Sequence, residues 1–217
     1  MKTRPPATKA RILTTARALF NEKGYGNVST AALAAQCGIA EGNLWYHFKT
    51  RRALLDAIGE QFADAIEARL ALVPQFDPLG DYAAMLAVLM REFRDFRFLY
   101  RDHDNYGEHA EVVQRNARIW LEQTFAQLEL YLAALVEADL LDWPRERLTD
   151  LAINATIIMR YGLEHYRELG EPTGTGTGVV QRTLQRHLTL FEHKLAPDAA
   201  MRLRSAIAQI ETAALAA

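Results

Sequence analysis

A single cysteine, Cys37, stands in this chain of 217 residues, so no intramolecular disulfide can form and a reducing compartment is expected. Buried in a helical core, that thiol reads as a small apolar residue rather than a redox sensor. Serine is almost as scarce: Ser29 and Ser205 are the only two, and each has another explanation, which leaves a serine-based hydrolytic triad without a nucleophile. Metal chemistry lacks its spacing too. His103, Asp104 and His109 offer no pair at i, i+4 on one helical face, and there is no cysteine cluster. No stretch reaches the roughly 20 apolar residues that a membrane helix needs, and the opening MKTRPPATK has no apolar run of the secretory kind. The expectation is a cytoplasmic protein. The run GEPTGTGTG at 170–178 is rich in glycine and threonine, yet no strand precedes it and no Lys-Ser or Lys-Thr follows. It is read as a helix connection, not a phosphate cradle. No enzyme activity, cofactor or metal is expected.

What the chain does have is apolar content and an uneven charge. Half of its residues are hydrophobic, enough for a substantial core. The formal net charge is only −2, but residues 1–55 carry Lys2, Arg4, Lys9, Arg11, Arg17, Lys23, Lys49, Arg51 and Arg52 against Glu22 and Glu41 alone. A basic front and an acidic remainder suit a nucleic-acid partner at one end. The first six residues read as a basic, proline-containing arm.

The stretch STAALAAQCGIAEGNLWYHFK, Ser29 to Lys49, carries a mechanism in its residue order. Ser29 is placed to cap a helix starting at Thr30, and Val28 to pack on Leu33 as a staple. Gly38 ends that helix in a sharp turn. A second short helix follows at once, with Leu44 and Phe48 inward at i, i+4 and Asn43, Trp45, Tyr46 and His47 on its other face. Two short helices joined by a glycine turn form a helix-turn-helix, whose second helix enters the major groove. Small Ala40 and Gly42 permit close approach; Asn43 suits a base edge; Tyr46, His47, Lys49 and Arg51 suit phosphates.

Residues 10–55 resemble the DNA-binding domain of the TetR family of transcriptional regulators: the segments around ILTTARALFNEKGY, VSTAALAAQCGI, GNLWYHFK and RRALLDAI come in that family's order and spacing. The resemblance implies an all-α protein with a three-helix DNA-binding domain at 1–55 and a larger helical effector-binding and dimerisation domain at 56–217. It implies a ligand-responsive repressor on double-stranded DNA, a homodimer on a pseudo-palindromic operator. The alternative is the same fold controlled by a protein partner or by no effector. Bases would face Asn43, Trp45, Gly42 and Glu41. Thr30 and Ala31 stand where relatives often carry a long polar residue, and Glu41 where they often carry Ser or Lys. Glu41 either accepts from a cytosine amino group or merely complements the helix dipole in its first turn.

Beyond the front, helices are expected from Arg51 to before Pro74, Tyr82 to about Arg101, Ala110 to about Leu140, Pro144 to about Leu169, Val179 to about Leu195, and from Pro197. The aromatic run from Met90 to His109 offers an effector pocket wall, with Phe93, Phe96 and Tyr100 apolar and Arg101 and His103 polar. Trp120, Phe125, Ile157, Arg160, Tyr161 and His165 would line the other side. The competing reading of each is ordinary helix packing or a solvated face. Arg160, inside the apolar run IIMRYGL, should seek an acid or an anionic ligand. By resemblance the helices from Pro144 and Val179 form the dimer interface through Leu148, Leu151, Ala152, Ala155, Ile158, Leu163, Leu184, Leu188, Phe191 and Leu195, or else these are intramolecular core.

Overall fold

The structure, a computed structural model, describes residues 7–102, 106 and 109–210. Ten α-helices account for most of them: α1 Ala7–Lys23, α2 Thr30–Gln36, α3 Glu41–His47, α4 Arg51–Leu70, α5 Pro78–Asp95, α6 Arg97–Arg101, α7 Glu111–Glu137, α8 Leu148–Glu168, α9 Val179–Leu188 and α10 Pro197–Gln209. Among the described residues no strand forms, and one isolated antiparallel bridge pairs Leu141 with Leu195. The protein is all-α. It divides into two compact units, each discontinuous in sequence. The first joins the residues up to Glu67 to Arg94–Arg118; the second joins Ala68–Phe93 to the residues from Ile119 onward.

In the first unit the apolar spacing of α1 buries Ile12, Ala16, Leu19 and Phe20, and α4 buries Leu54, Leu55, Ile58 and Phe62. Removing each of the isoleucine, leucine and phenylalanine side chains from water contributes about 1.5–3 kcal/mol before entropy is counted. Phe20 meets Tyr25 edge-on at 5.1 Å and Phe98 at 5.2 Å between ring centres. Gly59 is tightly placed: a Cβ there would lie 3.0 Å from Val112 Cγ1, so this face of α4 takes the start of α7 closely.

The helix expected through to Arg101 is broken at Phe96, whose φ of −120° and ψ of 20° leave the α region. Asn21, at the end of α1, accounts for the break. Its Nδ2 donates to the carbonyls of Arg94 (3.2 Å) and Asp95 (2.9 Å), while its Oδ1 accepts from the Phe98 N–H at 3.0 Å. One carboxamide thus satisfies orphan groups on both sides of the junction, ending α5 and starting α6. The favour is returned: Arg101 donates to the carbonyls of Phe20 (2.8 Å) and Asn21 (3.0 Å), and Arg97 donates to Asn21 O at 3.1 Å.

In the second unit a buried ion pair holds three helices. Arg69, at the end of α4, is 1% exposed and donates through Nε to Glu92 of α5 at 2.7 Å, through Nη1 to Gln127 at 2.6 Å and through Nη2 to Thr124 of α7 at 2.9 Å. Gln127 Nε2 in turn donates to the Arg69 and Leu72 carbonyls. A buried charge survives only when its hydrogen bonds are supplied in this way.

Other expected starts and stops differ too: the helix expected from Tyr82 begins at Pro78. Pro144 precedes a short 3-10 turn, Arg145–Arg147, before α8 begins at Leu148. The helix from Val179 ends at Leu188, and Glu192–Lys194 form a second 3-10 turn that brings Leu195 to its bridge with Leu141. α8 and α9 pack at Gly162, where a Cβ would fall 2.4 Å from Thr183 Cγ2. The apolar positions read either as a dimer interface or as intramolecular core are buried mostly within the single chain. Leu148, Leu151, Ala152, Ala155, Leu163, Leu184, Leu188, Phe191 and Leu195 are buried within the chain itself, and only Ile158 of the set is half-exposed. They are intramolecular core.

Candidate functional site

The helix-turn-helix forms from local chemistry. Ser29 Oγ accepts from the Ala32 N–H at 3.1 Å and caps α2, with Val28 and Leu33 both buried beneath it. At the other end Gly38 takes φ +64°, and the N–H groups of Gly38 and Ile39 return to the carbonyls of Ala35 and Ala34, both at 3.0 Å. This left-handed glycine cap turns the chain into α3. Leu44 and Phe48 are buried, fixing which face of α3 looks out. Thr50 Oγ1 then accepts from the Ala53 N–H at 3.0 Å and starts α4.

Most of the residues expected at DNA face outward. Ala31, Glu41, Gly42, Asn43, Tyr46 and Lys49 are exposed, and Thr30, Trp45 and His47 are half-buried. Tyr46 is 74% exposed, large for an aromatic on a water-facing surface. It stands edge-on to His47 at 5.3 Å between ring centres, with Lys49 Nζ 5.8 Å over its face. Thr30 Oγ1 donates to Glu41 Oε1 at 2.6 Å, tying the first turns of α2 and α3 together. At Gly42 a Cβ would meet nothing within 4 Å. Nothing inside the fold requires glycine there, although glycine in a helix interior costs about 0.5–1 kcal/mol relative to alanine.

Arg51 departs from its expected role at phosphate. Its guanidinium lies 4.2 Å from the Tyr25 ring centre, and its two terminal nitrogens donate to the carbonyls of Val28 and Tyr25. It clamps the turn before α2. Arg52 is exposed and lies 3.6 Å from Asp56.

The residues named for an effector pocket are divided between the units. Phe96, Tyr100 and Arg101 belong to the first, where Phe62 holds Phe96 at 5.1 Å and Tyr100 at 5.4 Å. Arg101 is committed there to Phe20, Asn21 and Asp102, whose Oδ2 accepts from the Tyr25 N–H at 2.7 Å. His103 lies outside the described residues. Phe93 is buried in the second unit, and Trp120 and Phe125 are half-buried. Ile157, Tyr161 and His165 share one exposed face of α8 at i, i+4, i+8, a surface rather than a cavity wall. Arg160 is half-buried beside them, 5.9 Å over the Tyr161 ring. The run IIMRYGL is apolar on two faces, so its arginine is not trapped in a core.

Three polar groupings went unnamed in the sequence: Asn21 with the α5–α6 junction, the Arg69 cluster, and a buried pair of Tyr82 and His187. Arg69 had a signal, since a cation at i+3 from Ile66 falls on the apolar stripe of α4. Asn21 had none, because its partners lie more than 70 positions away.

A capped helix pair with a short, outward, polar and aromatic second helix defines a helix-turn-helix protein. The model of bacterial regulatory proteins of the tetR family matches residues 12–58, and a second model, described as bacterial transcriptional repressor, matches residues 61–203. The chain belongs to the tetR family of bacterial regulatory proteins, a family of transcriptional regulators and not of enzymes. It is 40% identical over 114 residues to the HTH-type transcriptional regulator UidR of Escherichia coli K12, covering 52% of this chain and 53% of that protein. The chain thus spans about half the length of that relative. It is 25% identical to the class C tetracycline repressor protein of Escherichia coli over 87% of this chain and 83% of that one. A TetR-family transcriptional regulator from Marinobacter aquaeolei VT8 shares the fold, with a TM-score of 0.71, 22% identity and 98% of both chains covered.

Proposed function

We propose that this chain is a transcriptional repressor that binds a pseudo-palindromic operator as a homodimer and is released by a small-molecule effector. The observation that carries the reading is the outward face of α3. Asn43, exposed beside a glycine that no internal contact requires, suits a base edge, and Gly42 lets the backbone approach. Trp45 and Glu41 flank it, while Tyr46, His47 and Lys49 hold phosphates and Thr30 and Ala31 face the same groove. The half-buried clamp of Arg51 keeps the turn in place.

An effector acts through shared elements. α4, α5 and α7 each belong partly to both units, so a ligand that shifts their portions in the second unit acts on helices that also build the first. Selection of bound genomic fragments at stated salt, followed by footprinting, tests the function. A protected palindrome is expected, and binding blind to sequence would overturn the reading.

Within that operator the roles separate. Asn43→Ala should cost about 1–3 kcal/mol at one base position and relax specificity there, whereas Lys49→Ala should weaken all sequences and reduce the salt slope by about 1. Titrations on operator and random duplex over a range of salt measure both. Equal losses on the two duplexes for Asn43→Ala would remove it from base reading.

A further inference from the structure

Glu41 is an anion on the helix that must approach a polyanion. Among the described residues its partner is a hydroxyl: Thr30 Oγ1 donates to Oε1 at 2.6 Å across the α2–α3 seam. Among the described residues no cation pairs with Glu41, although three follow closely in sequence. Lys49 lies over Tyr46, Arg51 donates to backbone carbonyls, and Arg52 faces Asp56. An exposed, unneutralised carboxylate in this position is repelled by phosphates. It is tolerated where it meets a donor on the DNA, and the major groove presents two, adenine N6 and cytosine N4.

The two donors differ in their surroundings. Adenine sets its N7 acceptor beside N6, so a carboxylate, which has acceptors only, meets a lone pair with its second oxygen. Cytosine offers N4 without an adjacent acceptor on the same base. Thr30 supplies the remaining requirement by occupying Oε1, which fixes the side chain and leaves Oε2 for a single donor.

We propose that the Thr30–Glu41 pair selects a cytosine at one position of each operator half-site. This deepens the DNA-binding reading above and rests on it. The preference over other bases should be about 5- to 150-fold, the range of one good base contact. The same hydrogen bond diverts the Thr30 hydroxyl from phosphate, so Thr30 acts as a positioning residue for Glu41.

Selection from a randomised duplex pool at fixed salt, with the wild-type chain, Glu41→Gln and Thr30→Val, tests the assignment. The wild type should enrich cytosine at one position per half-site. Glu41→Gln, whose amide pairs with both N6 and N7 of adenine, should move that enrichment to adenine and leave other positions alone. Thr30→Val should weaken the cytosine preference several-fold at that position only. An unchanged preference in Glu41→Gln overturns the inference, as does a uniform rise in affinity for every sequence, which is what removing a merely repulsive charge produces. Absence of any sequence enrichment by the wild type would instead sink the operator-binding function itself.

Discussion

At the scale of single residues, burial rather than sequence neighbourhood sets the chemistry. His187 is fully buried on α9, its Nε2 2.7 Å from the Tyr82 hydroxyl and its ring 5.3 Å from that of Phe191. Burial pushes its pKa from 6.5 down to about 3 and pushes the Tyr82 phenol upward. Both groups stay neutral in the folded chain. Between pH 6.5 and about 3 the unfolded state therefore takes up a proton at His187 that the folded state refuses, so stability falls as pH drops through that window and is insensitive to this group above it. The slope from this one residue is at most about 1.4 kcal/mol per pH unit. Urea unfolding at a series of pH values should show it, and His187→Gln, which keeps a partner for Tyr82 without titrating, should flatten the curve. An equal slope in that variant would assign the acid sensitivity elsewhere. In sequence, His187 falls with Val180 and Leu184 on one helical stripe, which marks it as core. Its partner, 105 positions away on α5, leaves no trace there.

At the scale of elements, the helix-turn-helix was legible because its determinants are local: the Ser29 cap, the Gly38 turn and the Leu44–Phe48 spacing act within a few positions of one another. The α5–α6 junction was not, because a distant side chain makes it. The apolar run through Phe93, Phe96, Phe98, Leu99 and Tyr100 has helical spacing throughout, and the hydrogen bonds of Asn21 sit where it breaks. The same separation explains the expected pocket wall. Aromatic density signalled burial correctly, but not that Phe96 and Tyr100 would turn to Phe62 of α4. Asn21→Ala should leave two carbonyls and one N–H at the junction without their partner and cost about 1–3 kcal/mol. Asn27→Ala, which loses one exposed bond to the Lys23 carbonyl at 2.8 Å, should cost less than about 0.5 kcal/mol. Chemical denaturation of both variants makes the comparison. If the two losses match, Asn21 does not organise the junction.

At the scale of the whole molecule, the decisive feature is what the second unit leaves uncovered. The leucines of α8 and α9 are spent inside the chain, yet Ile157 is 50% and Tyr161 61% exposed on the same face of α8. One recognition helix reads few base pairs, and a palindromic operator needs two, set about 34 Å apart along the duplex. A two-fold contact through this face would supply the second copy from the same residues on each partner. Replacing Ile157 or Tyr161 by Glu sets like charges against each other across such an axis while disturbing no buried group. Each variant should sediment as a monomer where the wild type sediments as a dimer, and operator affinity should fall by about tenfold or more, since the two half-sites are no longer joined. Thermal unfolding of the variants at low concentration controls for folding. A dimer that persists in both would place the interface on another face, and the tie between α8 and operator reading would be lost with it.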